Sequence, residues 1–341
     1  NPEEQYEAYV AACDRKIRDI SISAPSQNQT APSTTDEPRT GLPENLITIV
    51  VSTTQSTLHL LANTLDSLAA ITAPCWHLIV VSNVEEPEEL DGIDRIHWIN
   101  TDGNDEAKTQ IDTRVAALEA TWVLEMPSGT TFTDSLFQQL HALTRPKKMA
   151  VFFDDDLYDE QGKRHSPRFK PGVNPEALLS GDLAGPIAVQ REAWLTTGGT
   201  WRKIEAPWFF KLLKIQERFG WNSIQHIQNI TLSFPENNRT NTESCLLALV
   251  SHLMEKQASI EVFPLNAERW TLRQEIPAPP PPVQIFIHSR GDLDLLDRCI
   301  TSIENFTSYN NKTIGIILNT QETDADISQW TKKFLERSPS N

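Results

Sequence analysis

Cysteine is scarce and dispersed: the 341 residues contain four, Cys13, Cys75, Cys245 and Cys299, with no C-x-x-C pair and no Cys/His cluster. This excludes a disulfide scaffold and a cysteine-built zinc centre, and it fits a reducing compartment. Basic charge is also in deficit, with 30 Lys and Arg against 46 Asp and Glu and a formal net charge of -16. Surfaces that track phosphate backbones need clustered Lys and Arg, so nucleic acid is not an expected partner. No apolar run approaches the length of a bilayer span, and the opening Asn1-Pro2-Glu3-Glu4 is neither basic nor apolar, so neither a transmembrane segment nor a signal peptide is read. The expected location is cytoplasmic, the inner face of the membrane included. The first residue is not Met, and the chain reads as a stretch of a longer protein. No G-x-G-x-x-G follows the first apolar strand, which argues against a dinucleotide-binding enzyme. The eight histidines show no metal-ligand spacing.

What is present is an alternation of buried-strand and amphipathic-helix patterns. Tyr6, Tyr9, Val10, Cys13, Ile17 and Ile20 fall at helical spacing and predict an N-terminal helix over residues 1–20. Residues 21–44, rich in Ser, Thr, Pro, Gln and Asn, cannot offset their own ordering entropy and read as a flexible linker. From 45 to 275 the pattern is βαβ repeated: Leu46–Val51 as a strand, Leu58, Leu61, Leu65 and Leu68 on a helix face, then His77–Val81 as the next strand. Strands near Arg95–Ile99, Trp122–Met126, Met149–Phe153, Leu183–Gln190 and Ile224–Leu232, with helices between them, predict an α/β fold with a mostly parallel, doubly wound sheet. A proline-rich linker spans 276–282. Beyond it the opening pattern returns over 283–341, with strand Val283–Ile287, helix face Leu293, Leu296, Ile300 and Ile303, and strand Ile314–Leu318.

The segment Ile47-Thr-Ile-Val-Val-Ser-Thr-Thr54 followed by Leu65-Asp66-Ser67-Leu68 resembles the start of family 2 glycosyltransferases, whose fold is GT-A. More specific are Phe153-Asp154-Asp155-Asp156-Leu157-Tyr158 continuing to Arg164, then Pro167-Arg168-Phe169-Lys170-Pro171, then Asn174–Ser180, Gly185–Arg191 and Gly198-Gly199. In that order they resemble a bacterial, tandem-domain subgroup linked to surface polysaccharide or protein glycosylation. Residues 283–341 resemble the start of a second such domain. The resemblance implies a nucleotide-diphosphate sugar as donor, a glycan or protein acceptor, a carboxylate base, and a divalent metal, Mn or Mg, held by a D-x-D motif against the leaving diphosphate.

The signature acids are missing from their usual places. Ser82 and Asn83 stand where the family's nucleoside-contacting Asp follows the second strand, Pro127-Ser128-Gly129 replaces D-x-D, and aromatics occupy the base-bearing segment near Trp208–Phe210. The candidates that remain are Ser52, Thr53, Ser82 and Asn83 for the nucleotide sugar, Asp154 and Asp156 for a surrogate metal site, and Glu205 for the base. Arg168 and Lys170 are candidates for the diphosphate or an acidic acceptor, because oxygen anions suit such donors, and the resemblance implies an acceptor-side position for Asp182. Trp194, Trp201, Trp208 and Trp221 read first as core. Two functions stay open on sequence: an active sugar transferase, or a catalytically silent relative serving as a scaffold, acceptor-binding or dimerisation module.

Overall fold

The computed structural model describes Tyr6 and residues 42–71, 73–101, 105–143, 148–198, 207–236, 242–266, 269–319 and 325–337. The N-terminal helix, apart from Tyr6, and the linker up to residue 41 lie outside the described residues, as does Glu205. The chain divides into two compact units, Asn1–Arg273 and Gln274–Asn341.

The first unit runs β1 (Ile47–Thr53), α1 (Leu61–Ala69), β2 (Trp76–Ser82), β3 (Ile96–Asn100), α2 (Asp105–Leu118), β4 (Trp122–Pro127), β5 (Thr131–Phe132) and α3 (Asp134–Ala142). It continues through β6 (Ala150–Tyr158), β7 (Arg164–Arg168), α4 (Pro175–Leu179), β8 (Ile187–Gln190), α5 (Arg191–Thr196), α6 (Pro207–Phe219), β9 (Ile224–Pro235) and α7 (Thr242–Glu255). β10 (Ile260–Pro264) and β11 (Trp270–Gln274) form a separate two-stranded sheet. The main sheet has the order β3-β2-β1-β4-β8-β6-β9-β5, with β7 paired to β6. β3, β2, β1 and β4 are mutually parallel, β6 and β9 are parallel, and β8 runs antiparallel between β4 and β6. The α/β class and the dominant strand direction expected from the alternation are those observed.

Period-two alternation sends each strand's side chains to two cores. Ile47, Ile49 and Val51 of β1, Trp122, Leu124 and Met126 of β4, and Val151 and Phe153 of β6 meet Leu61 and Leu68 of α1 and Leu136, Phe137 and Leu140 of α3. On the other face Val50, Ile79, Val81, Val123 and Phe152 meet Ile111 and Val115 of α2, Trp194 of α5, and Leu212 and Ile215 of α6. Helices therefore cover both faces, which is why these parallel strands read as continuous apolar runs. A smaller core joins Phe209 and Leu213 of α6 to Cys245 and Leu249 of α7 and to Trp270. Of the tryptophans read as core, Trp194 is buried and Trp208 and Trp221 pack on the edge of the second core. Trp201 lies outside the described residues.

The second unit consists of β12 (Val283–Ser289), α8 (Leu293–Phe306), β13 (Lys312–Leu318) and α9 (Ala325–Arg337). Its parallel strands pair from Val283↔Lys312 to Ser289↔Leu318, residue for residue as β1 and β2 pair from Ile47↔Trp76 to Thr53↔Ser82. The repeat read from the sequence is thus a repeat of register as well as of element order. Leu296, Ile300 and Ile314 form its core, with Trp330 and Phe334 of α9 packed on them.

Phe153 sits at the meeting point of β6 with α1 and α3 and is fully buried. Phe153→Ala is expected to cost about 3–5 kcal/mol through lost transfer energy and the cavity left behind. Urea unfolding followed by circular dichroism measures it.

Candidate functional site

The carboxyl ends of β1, β2 and β4 come together where the chain crosses from one side of the sheet to the other. That is the place where open α/β sheets leave a crevice for ligands. β1 ends at Ser52 and Thr53, with Thr53 beside Ser82 of β2 and Ser52 beside Pro127 of β4. The sequence candidates Ser52, Thr53, Ser82 and Asn83 are therefore brought to one edge. Asn83 is exposed there, while Ser82 is buried and its Oγ accepts the Val84 amide at 3.0 Å. After β1 the chain folds on its own hydroxyls: Thr57 Oγ1 accepts from the Thr54 amide at 2.9 Å and lies 3.3 Å from Thr53 Oγ1. The result is an edge of hydroxyls and one exposed amide, Asn83, with Thr53 and Ser82 themselves buried.

The turn that replaces D-x-D is closed and packed. Ser128 is buried, and its Oγ donates to the Thr57 carbonyl at 3.2 Å while its amide donates to Ser52 O at 3.1 Å. The Gly129 amide donates to Thr64 Oγ1 at 3.0 Å, its carbonyl accepts from Tyr158 OH at 2.5 Å, and Thr130 Oγ1 donates back to Pro127 O at 2.8 Å. Gly129 has φ +91°, and a Cβ there would stand 2.9 Å from Pro235 Cγ and 3.2 Å from Leu60 Cβ. Only glycine fits this turn without strain.

The acidic run lies elsewhere than expected. The sequence reading ends the strand at Phe153 and places Asp154–Asp156 in a loop beyond it. In the structure β6 continues through them to Tyr158, and all three are buried. Extended backbone persists there because β7 and β9 supply ladder partners on either side, across small register shifts. Each carboxylate is committed to a neighbour. Asp154 accepts from the Lys170 amide at 2.9 Å and meets His226 Nε2 at 2.8 Å. Asp155 takes both arms of the Arg168 guanidinium at 2.8 Å and Lys170 Nζ at 2.6 Å. Asp156 takes Arg164 Nε at 2.7 Å and the hydroxyl of Tyr6.

These observations test the implied divalent metal, and the residues do not fit it. The D-x-D position has no carboxylate and is buried, Asp154 Oδ1 and Asp156 Oδ2 each accept two bonds from protein groups while Asp156 Oδ1 is buried without a partner, and among the described residues no group of three His, Cys, Asp or Glu side chains could hold a metal ion. Both cations pair with Asp155, Lys170 from a buried position and Arg168 from an exposed one, and Lys170 Nζ also donates to the Ala184 carbonyl at 2.6 Å. Asp182 joins the same cluster, accepting from the Gly185 amide at 3.1 Å and from Trp208 Nε1 at 3.3 Å. A Cβ on Gly185 would stand 2.8 Å from both Arg168 Nη2 and Lys170 Nζ, so the bare glycine lets the two cations converge. Burial pushes the Asp155 carboxyl up, but Lys170 and Arg168 overcome it and hold it below the usual range. His226 and Tyr158 escaped the sequence reading. Only contacts some 72 and 29 residues distant along the chain give them their roles.

No family model matches the chain. It is 26% identical over 208 residues to the O-antigen biosynthesis protein RfbC of Myxococcus xanthus, a match that covers 57% of this chain and 16% of that protein's length. Among solved structures, S. aureus TarS 1-349 aligns with TM-score 0.43 and 13% identity over 61% of this chain and 65% of that one. The same protein in complex with UDP-GlcNAc aligns with TM-score 0.44 and 11% identity over 61% and 66%.

Asp155→Asn would leave Lys170, which is 1% exposed at its side chain, without its counter-charge. The expected cost is about 3–5 kcal/mol, the usual result of removing one partner of a buried pair. Because the folded carboxyl titrates below its ordinary range, Asp155's contribution is present above that range and is lost as pH falls through the depressed value. Acid unfolding of the wild-type and D155N chains checks this, and the substitution should flatten the acid limb of the stability profile. With its α/β sheet, the order of its sequence motifs and its curated relative taken together, the chain is glycosyltransferase-like in its relationships.

Proposed function

We propose that this chain is part of a family 2 glycosyltransferase that moves a sugar from a nucleotide-diphosphate donor to a polysaccharide or protein acceptor, and that its first unit holds the donor. The observation that carries this reading is the convergence of Ser52, Thr53, Ser82 and Asn83 on the carboxyl edge between β1, β2 and β4. The likeness to an O-antigen biosynthesis protein supports a polysaccharide acceptor. The chain spans only 16% of that relative's length, so the activity of the whole protein is proposed here with the rest.

In the proposed reaction an acceptor oxygen forms a bond to the anomeric carbon as the bond from that carbon to the diphosphate breaks. The nucleoside diphosphate leaves, and the acceptor's proton passes to a base, for which Glu205 is the nearest acid in sequence. No step is routed through a metal, since the Pro127–Thr130 turn has no carboxylate and Asp154, Asp155 and Asp156 each accept from protein donors. The second unit is proposed as the beginning of a second domain of the same kind, because its strands repeat the β1–β2 register. Among the described residues no helix is long and apolar enough to cross a membrane. A cytoplasmic location, at the membrane's inner face, completes the proposal.

Calorimetric titration with UDP-, GDP- and TDP-sugars tests the reading. Binding of at least one donor is expected, unchanged by manganese or EDTA and weakened several-fold in Asn83→Ala. Absence of binding to every donor would remove the donor-site assignment. Binding that appears only with manganese would show that the cation site had been misread.

A further inference from the structure

A cavity of about 310 Å³ lies between helices on one face of the sheet, and none of its described lining residues belongs to a strand. α2 supplies Lys108, α7 supplies Glu255, and α6 supplies Phe210, Lys214, Glu217 and Arg218 from one stripe of its surface. Over the whole chain acidic residues outnumber basic ones by 46 to 30, yet here the balance reverses. Counting Lys256, which pairs with Glu217, four cations stand against two carboxylates.

Both carboxylates are ion-paired. Glu255 Oε2 meets Lys214 Nζ at 2.8 Å, while Glu217 meets Lys256 and lies 3.8 Å from His252 Nε2. Lys108 and Arg218, by contrast, have no acidic partner among the described residues, and they reach the cavity from two different helices. Gly198, in the turn after α5, has φ +65°, and a Cβ there would stand 3.7 Å from Lys108 Nζ, so glycine permits the turn and keeps a side chain off the ammonium. Thr196 and Thr197 donate their hydroxyls to the Ala193 carbonyl at 3.3 and 2.7 Å. The side-chain donors left to a ligand among the described residues are therefore the cations.

This lining selects among ligand chemistries. An apolar ligand finds one aromatic ring, Phe210, and Lys214 Nζ already lies 5.2 Å from its centre. A metal ion finds carboxylates that ammonium groups have engaged. An oxyanion finds an ammonium and a guanidinium from two walls, and its several acceptor atoms can engage both. Like charges lining one concavity also focus a positive potential that draws such a ligand in. Small-molecule sites begin at about 300 Å³, so there is room for a sugar phosphate or a diphosphate. We propose that this cavity binds a small phosphorylated ligand, with Lys108 and Arg218 gripping the phosphoryl oxygens and Lys214 completing the wall. The site is separate from the donor edge, which is built from the carboxyl ends of β1, β2 and β4.

Inorganic diphosphate and glucose 1-phosphate are titrated calorimetrically into the whole chain, with glucose as the uncharged control. At least one of the two anions is expected to bind, more weakly as salt is added, and glucose is expected not to bind. Lys108→Gln and Arg218→Gln should each weaken binding about tenfold or more, the equivalent of one lost charge-assisted contact, while Asn83→Ala at the donor edge leaves it unchanged. Failure of both anions to bind the wild-type chain overturns the proposal whether or not the variants fold. Binding that keeps its full strength in a folded K108Q/R218Q chain, or that is lost in N83A instead, overturns it as well.

Discussion

Three consecutive carboxylates buried on one strand have to be matched, each by its own partner, and much of the first unit is arranged to do so. Asp155 alone draws in Arg168 and Lys170, which carries the loop after β7 back beneath β8. Asp154 fixes that loop through the Lys170 amide and ties β6 to β9 through His226, whose ring stacks on Phe152 at 4.6 Å. Asp156 holds β7 through Arg164. A buried ion pair often does no better than break even against apolar packing, but removal of one partner is expensive. The acidic run therefore specifies which strands and loops meet.

That assignment changes the meaning of the missing D-x-D. Loss of the acids could have been compensated by Asp154 and Asp156, and the structure gives those side chains to Arg164, His226 and the Lys170 amide instead. The Pro127–Thr130 turn has meanwhile become a packing element, closed by Ser128, Thr64 and Tyr158 and requiring glycine at 129. Substituting acids into that turn would bury them among apolar and hydroxyl groups. The edge beside that turn carries hydroxyls and the exposed Asn83 amide rather than carboxylates.

Much of this fold was legible because its signals are local. Parallel strands covered on both faces read as apolar runs, and α1 shows its face through Leu61 and Leu68 at helical spacing. The register repeat of β12 and β13 was visible as a repeated pattern. What escaped is what depends on distant partners. Three aspartates after an apolar run look like a loop until Arg164 and Arg168 are brought beside them, and β7 itself, with Pro167 and no alternation, carries no strand signal. That Ser52, Thr53, Ser82 and Asn83 share one edge of the sheet was legible from their place after two apolar runs. Arg168 and Lys170 read as a cationic pair, and nothing nearby in sequence shows that Asp155 faces them.

With Asp154, Asp155 and Asp156 each bonded to protein donors, the acidic run acts as a structural clamp, and electron paramagnetic resonance of manganese titrated into the chain, alone and with UDP, tests most directly whether it is a cation site. The free-ion signal is expected to keep its full amplitude in the protein alone and to fall with UDP only as UDP itself requires. Stoichiometric loss of the free-ion signal to the wild-type chain, restored by Asp154→Asn/Asp156→Asn in a variant shown to be folded, would contradict it.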